Sequence, residues 1–160
     1  MKLTTIANAV LASTLLSAAA LSAQAAPLAA DATTVVLVHG AFADGSSWEK
    51  VIPLLQAKGL KVVAVQNPLS SLADDVAATQ RVVDAQTGKV VLVGHSWGGT
   101  VITQAGTSDK IKALVYVAAF APSEGEATST LGKDYAVPAG IATLQQDAGG
   151  YLWLPADSVA

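Results

Sequence analysis

Ser96 lies in a segment whose residue types and spacing suit nucleophilic chemistry. Residues 94–99 read Gly-His-Ser-Trp-Gly-Gly, directly after the apolar run 90–93 and before a stretch typical of a helix. A G-x-S-x-G pattern between a strand and a helix is typical of a sharp turn that exposes the serine hydroxyl above the edge of a sheet. The pattern predicts Ser96 as a catalytic nucleophile, with the N–H groups at the start of the helix beside the oxyanion that its attack would generate.

The glycines around Ser96 have a steric explanation. The turn is so tight that side chains at Gly94 and Gly98 would collide with neighbouring backbone, and Ser96 itself is expected to adopt a strained conformation. G-x-S-x-G alone is a weak pattern, and the alternative is a glycine turn that merely links a strand to a helix. The flanking strand and helix, together with a second motif upstream, favour the catalytic interpretation.

The second motif is Val38-His39-Gly40-Ala41, which ends a separate apolar run. An oxyanion hole needs a second backbone N–H from a neighbouring loop, and the loop that follows Gly40 is the candidate. We predict that the N–H groups of Ala41 and Trp97 form the hole. Phe42 is predicted to line a substrate pocket beside them, with simple packing as an equally good interpretation of this side chain.

Strands and helices alternate along the chain that must position these motifs. The run 33–38, which is rich in β-branched residues and lacks the alternation of a half-exposed sheet, predicts a strand that is buried on both faces. The predicted strands cover residues 33–38, 61–65, 90–93 and 111–118, and the predicted helices cover residues 46–58, 71–86 and 98–105. Strands that alternate with helices imply parallel pairing with right-handed crossovers. The predicted fold class is α/β, a three-layer α/β/α sandwich with a parallel sheet.

The first two predicted helices carry start signals and charges. Ser46 and Glu49 have capping-box spacing, whereas Pro53 makes a later start or a kink of the first helix the alternative. In the second helix, residues 72, 76, 79 and 83 form an apolar stripe. The three acids of this helix are predicted to be exposed charges and dipole partners, namely Asp74, Asp75 and Asp84.

Composition excludes several functional classes. Of the 160 residues, 52% are hydrophobic and 13% are charged, which excludes a disordered chain. The net charge of −3 comes without a basic stripe, so no nucleic-acid partner is predicted. The chain has no cysteine and two histidines, which excludes a thiol nucleophile, a disulfide framework and a thiolate or multi-histidine metal site. No metal or cofactor is predicted, and the oligomeric state is left open.

Residues 1–25 have the organisation of a secretory signal peptide. A basic start at Lys2 precedes an uncharged apolar stretch, and Ala23-Gln24-Ala25 matches an A-x-A cleavage site. An uncleaved membrane anchor is the alternative, because a spanning helix needs roughly 20 apolar residues. Cleavage after Ala25 would leave residues 26–160 as a periplasmic or secreted protein that has no membrane partner.

These motifs make the sequence similar to the α/β-hydrolases. It resembles in particular the small single-domain group that includes plant methyl-ester esterases and hydroxynitrile lyases. The resemblance covers residues 33–122. It rests on the segments 36–41, 53–55, 91–99 and 118–122, and on the single residues Gly45, Trp48 and Gly59. It implies the strand order second, first, third, fourth, with Ser96 as the nucleophile and Ala41 and Trp97 as the donors of the oxyanion hole.

The sequence departs from this family in the residues that would activate the serine. Family members supply an acid and then a histidine after the nucleophile, whereas both histidines here precede Ser96. The resemblance implies that His39 is a structural, hydrogen-bonded histidine and that His95 points away from the site. Residues 121–160 resemble the start of a cap, so the chain is expected to be the N-terminal part of a hydrolase, cut off inside its cap.

Three functions are compatible with these features. The favoured one is an exported serine esterase that acts on small carboxylic esters, with the acid and the histidine absent from this chain. The second is a lyase on the hydroxynitrile-lyase pattern, and the third is a truncated, non-catalytic remnant. For residues 26–160 alone, the missing base predicts negligible ester turnover, and an unpaired apolar edge on the fourth strand predicts self-association.

Overall fold

The computed structural model describes residues 33–158, which form a main sheet, a small hairpin and four α-helices. The strands are β1 (Thr34–Val38), β2 (Lys61–Ala64), β3 (Val90–Ser96), β4 (Ile111–Ala119), β5 (Gln145–Gln146) and β6 (Leu152–Trp153). The α-helices are α1 (Ile52–Gln56), α2 (Leu72–Asp84), α3 (Trp97–Ala105) and α4 (Ala139–Ala142). Short 3-10 turns occupy Gly45–Trp48, Thr128–Thr130 and Ala156–Ser158.

The main sheet has the order β2-β1-β3-β4, with every neighbouring pair parallel. The strand order that the family resemblance implied is therefore confirmed. β1 and β3 are neighbours, and Val38 at the end of β1 is in register with Gly94 of β3. Because parallel strands end at the same edge, the loops that follow β1 and β3 leave the sheet side by side.

Successive residues of β1 face opposite layers. Val36 and Val38 pack with residues of α2 and α3. Val35 and Leu37 pack with Trp48 and with residues of α1. Every residue of β1 is buried, which explains why this run shows no alternation of apolar and polar residues. The three-layer α/β/α sandwich is confirmed.

The prediction that Ser46 caps the first helix is wrong, whereas the alternative of a later start near Pro53 is confirmed. Asp44, rather than Ser46, caps the turn Gly45–Trp48, because its side chain accepts a 2.7 Å hydrogen bond from the Ser46 N–H. Hydrogen bonds from Ser46 also hold the pKa of the Asp44 carboxyl below its usual range. The regular helix begins at Ile52, with Pro53 in its first turn, where a missing N–H leaves no helical hydrogen bond unmade.

Helix α2 follows its predicted boundaries, but its acids do not share one environment. Ser71 caps the helix by accepting a 3.1 Å hydrogen bond from the Asp74 N–H. Val76 and Val83 of the predicted apolar stripe are buried. Asp75 is fully buried as well, so the prediction of an exposed charge is wrong for this residue, while the other two acids are exposed.

The last strand of the main sheet lies at its edge. Within residues 33–158, β4 pairs with β3 and with no other strand. Its apolar side chains Val115, Tyr116 and Val117 are 41%, 38% and 42% exposed. Beyond it, β5 and β6 form a short antiparallel hairpin that is separate from the main sheet and that the sequence analysis did not anticipate.

The predicted signal peptide, residues 1–25, lies outside the described residues. Between residues 33 and 158, no helix is both long enough and apolar enough to cross a membrane.

Candidate active site

Ser96 occupies the turn between β3 and α3 in a strained backbone conformation. Its φ of 51° and ψ of −119° fall in a region that residues with a Cβ rarely adopt. Its carbonyl oxygen accepts a 3.1 Å hydrogen bond from the Phe120 N–H, which ties the turn to the end of β4. The predicted strain at Ser96 is confirmed.

The glycines on either side of Ser96 are required by backbone contacts. A Cβ on Gly94 would lie 2.5 Å from the carbonyl oxygen of Gly98. A Cβ on Gly98 would collide with the carbonyl oxygen of Val38. The start of α3 therefore packs directly on the end of β1. Gly40 lies close to Ser96, because a Cβ added to Gly40 would be 3.0 Å from the Ser96 Cβ.

His39 uses both ring nitrogens to hold the loop after β1. Its Nε2 accepts a 3.0 Å hydrogen bond from the Asn67 N–H, so the proton is on Nδ1, which donates to the Gly40 carbonyl oxygen at 2.8 Å. The Gly40 carbonyl and the Ala41 N–H belong to one planar peptide and point in opposite directions. His39 therefore sets the direction of the Ala41 N–H, and the predicted structural role of this histidine is confirmed.

His95 faces the α1 side of the sheet. Its ring meets the Trp48 ring edge-on, with centroids 6.3 Å apart and planes at 88°. In the part of the chain that the structure describes, the Ser96 hydroxyl has a hydrogen bond to neither His95 nor His39.

A cavity of about 570 Å³ lies beside the turn. Of the predicted site residues, Ala41, Phe42 and Trp97 line it together, and Ser96 lies next to its wall, between Trp97 and Gly40. Residues 69–72 and the hairpin residues 149–152 complete the lining. Phe42 is 44% exposed, so its ring contributes apolar surface to the cavity rather than to the core.

Asp75, which was predicted as an exposed charge, lines the same cavity. Its carboxylate accepts a 2.8 Å hydrogen bond from the Leu69 N–H through Oδ1 and another of 2.8 Å from the Trp97 Nε1–H through Oδ2. The spacing held a signal, because Asp75 stands three residues after Leu72 and four before Thr79, on the apolar stripe of α2. An acid on that stripe indicates a buried, hydrogen-bonded carboxylate rather than a solvated charge.

Within residues 33–158, no group of three His, Asp or Glu side chains is placed to bind a metal ion.

Comparison with known proteins assigns the chain to a family. A model described as the alpha/beta hydrolase family matches residues 35–159. The chain belongs to the α/β-hydrolase family. The resemblance on segments 36–41 and 91–99 is thereby confirmed.

Individual α/β-hydrolases similar to this chain include two plant proteins. Salicylic acid-binding protein 2 of Nicotiana tabacum is 36% identical over 115 residues, which cover 62% of this chain and 44% of that protein. Methylesterase 2 of Arabidopsis thaliana is 35% identical over 121 residues, which cover 63% of this chain and 44% of that protein. The chain spans about half the length of the curated relatives it matches.

Solved structures give the same fold. The crystal structure of a pyrethroid hydrolase from Sphingobium faniae superposes with a TM-score of 0.64 at 24% identity, covering 77% of this chain and 56% of that one. At this identity the likeness concerns the fold alone.

Proposed function

We propose that this chain carries the nucleophile and the oxyanion-binding groups of a serine hydrolase that cleaves carboxylic esters. The observation that carries the proposal is the backbone of Ser96, which is held at positive φ between β3 and α3 and next to Gly40. Strain of this kind is maintained at functional sites because the surrounding contacts leave the residue no alternative. The relative named Methylesterase 2 supports the ester class.

In the proposed reaction, the Ser96 Oγ attacks the carbonyl carbon of the ester and gives its proton to a general base. The carbonyl oxygen becomes an oxyanion, which the backbone N–H groups of Ala41 and Trp97 stabilise. Collapse of the tetrahedral intermediate breaks the bond to the alcohol oxygen, which leaves with a proton. Water then hydrolyses the acyl-enzyme and frees the acid.

The proposal assigns the general base to neither histidine of this chain. Both ring nitrogens of His39 are engaged with Asn67 and Gly40, and the ring of His95 packs against Trp48. A serine hydroxyl is a weak nucleophile without a base. We expect the histidine and the acid of a triad to come from sequence that this chain does not contain.

The proposed substrates are small carboxylic esters. The cavity volume of about 570 Å³ lies in the usual range for small-molecule sites. Phe42 and the Trp97 side chain supply aromatic walls for the acyl or the alcohol group. The segment 1–25 supports export of the protein to the periplasm or the medium, which N-terminal sequencing of the expressed product would test by a start at Ala26.

The experiment that tests the function supplies the missing base from solution. The purified chain is incubated with p-nitrophenyl acetate and increasing imidazole, and the hydrolysis caused by imidazole alone is subtracted. The expected result is a protein-dependent increment that Ser96→Ala abolishes and that the exposed control Ser123→Ala retains. An equal increment in Ser96→Ala would overturn the proposal. Cyanide release from a cyanohydrin without ester cleavage would favour the lyase instead.

A further inference from the structure

Two separate segments of the cavity wall are tied to one buried carboxylate. Asp75 has no exposed surface, and its two oxygens accept hydrogen bonds of 2.8 Å from the Leu69 N–H and the Trp97 indole N–H. Leu69 and Trp97 both line the cavity beside Ser96. The two donors are thus six residues before the acid and 22 residues after it in sequence.

We infer that Asp75 is a positioning residue of the proposed hydrolase site, where it fixes the Trp97 side chain and the Leu69 loop as the walls of the substrate cavity. The geometry of this inference comes from the two hydrogen bonds of Asp75. Its consequence, an effect on substrate selection, rests on the proposed function. Asp75 acts through Trp97 and Leu69 and is assigned no contact with the reacting atoms.

A carboxyl group suits this position better than an amide of the same shape. Its two oxygens accept from separate donors, Oδ1 from the Leu69 N–H and Oδ2 from the Trp97 Nε1–H. An asparagine offers one oxygen and one NH₂ group, so it accepts from Leu69 or from Trp97 but not from both. The residue with two acceptor oxygens is therefore the one that holds both walls at once.

Leu69 gives an independent sign of this constraint. Its φ of 57° is in the left-handed region, which is unfavourable for a leucine. The hydrogen bond from its N–H to Asp75 Oδ1 holds the loop in that conformation. Loss of the bond would let the loop relax and change the cavity that Leu69 lines, while the backbone of α3 stays packed on β1 through Gly98.

Asp75 is therefore expected to affect substrate binding more than the catalytic step. The Trp97 N–H of the oxyanion hole belongs to the backbone, which the contact of Gly98 with Val38 holds independently of Asp75. The Trp97 indole and Leu69 belong to the cavity wall. Weakening the Asp75 hydrogen bonds should therefore change the fit of the acyl chain, and so KM, more than it changes kcat.

The test compares Asp75→Asn with Asp84→Asn, the same change at an exposed acid of the same helix. In ¹H–¹⁵N spectra of the full chain, the Trp97 indole signal, assigned with Trp97→Phe, or the Leu69 amide signal should shift in Asp75→Asn, because the asparagine oxygen keeps only one of the two hydrogen bonds. Exchange of the released N–H with solvent should accelerate about tenfold, as expected for loss of a hydrogen bond. The Trp48 and Trp153 indole signals should keep their positions, and Asp84→Asn should match the parent chain.

The second readout is selectivity in the imidazole-supported ester assay. The ratio of kcat/KM for p-nitrophenyl butyrate to that for the acetate should change at least about threefold in Asp75→Asn, mainly through KM, in keeping with the modest energies of single pocket contacts. Unmoved Trp97 indole and Leu69 amide signals, or unchanged selectivity in a folded variant, would overturn the inference. If neither the parent chain nor any variant shows Ser96-dependent hydrolysis, the proposed function fails, whereas the two N–H signals still decide whether Asp75 holds Trp97 and Leu69.

A variant that keeps the acid covers the case in which Asp75→Asn does not fold. Trp97→Phe removes the indole N–H and leaves Asp75 bonded to Leu69. It should alter the same selectivity ratio, because it breaks the hydrogen bond that holds the Trp97 side chain against Asp75. Unchanged selectivity in Trp97→Phe would overturn the inference.

Discussion

Gly98 lies directly against the carbonyl oxygen of Val38, with no room for a Cβ between them. This contact joins the start of α3 to the end of β1. It brings the loop that contains Gly40 and Ala41 beside the turn that contains Ser96, and so it assembles the candidate site from two segments that are far apart in sequence.

Gly98→Ala is expected to destabilise the fold by about 1–3 kcal/mol, because the added methyl group forces two packed backbones apart. Urea denaturation followed by circular dichroism measures the change. Gly132→Ala is the matched control, since a Cβ there has no neighbour within 4 Å, and its effect should stay within about 0.5 kcal/mol. Equal losses in the two variants would show that the contact between Gly98 and Val38 leaves room for a Cβ.

Ser96→Gly should be more stable than Ser96→Ala. Both substitutions remove the hydroxyl, but only glycine accepts a φ of 51° without strain. Relief of about 1–3 kcal/mol outweighs an entropic cost of about 0.5–1 kcal/mol for glycine, which leaves a difference of about 1 kcal/mol. Unfolding midpoints in urea provide the comparison, and equal midpoints would contradict the assignment of strain to this residue.

His39→Leu should destabilise the chain by about 2–5 kcal/mol, since it leaves the buried Asn67 N–H and the Gly40 carbonyl without their partner. His95→Leu is the control, because the His95 ring is only partly buried and contacts Trp48 by its edge. A smaller loss is expected there. The prediction fails if the two variants unfold at the same urea concentration.

The first turn of α2 should contribute stability that depends on pH. Hydrogen bonds from the Ser70 and Ser71 hydroxyls lower the pKa of Asp74 below its ordinary value of 3.8. A lowered pKa stabilises the fold above the unfolded-state value and ceases to do so as the pH falls through the folded-state value. Asp74→Asn should therefore be less stable than the parent chain at neutral pH.

Thermal unfolding across a pH series measures this effect. The difference between Asp74→Asn and the parent chain should shrink as the pH falls below the ordinary value of 3.8 and vanish once the carboxyl is protonated in the folded chain as well. The exposed acid Asp84 supplies the control, and Asp84→Asn should show a smaller change. A difference that persists unchanged in acid would contradict the role of the Asp74 carboxylate.

The exposed apolar side chains of β4 should promote self-association. An edge strand that carries Val115, Tyr116 and Val117 in partial exposure offers unpaired backbone groups and apolar surface to a second copy. Val117→Lys should shift the chain toward monomer in sedimentation velocity, because a lysine on an edge strand opposes pairing. Val137→Lys, on a side chain that is 66% exposed elsewhere, should leave association unchanged, and an equal shift in both variants would argue against β4.

The layered architecture and the Ser96 turn were predictable because local features specify them. The continuous β-branched run of β1 implies a strand buried on both faces, and the alternation of strands with helices implies parallel pairing. Gly94 is needed by a turn that is built within a few residues of it, whereas Gly98 is needed because the end of β1 packs against it. The oxyanion-hole and nucleophile roles of Ala41, Trp97 and Ser96 stay predictions that the experiments above address.

The environments of Asp75 and His39 depend instead on contacts between distant segments. Asp75 is buried because Trp97, 22 residues later, brings an indole N–H to its carboxylate. His39 is held by the Asn67 N–H from 28 residues away. The periodicity of one segment shows which face of a helix or strand is apolar, but the partner of a polar side chain on that face is set by how the elements pack. Because of that packing, Asp75 is not exposed to solvent as predicted but joins α2 to the wall of the candidate site.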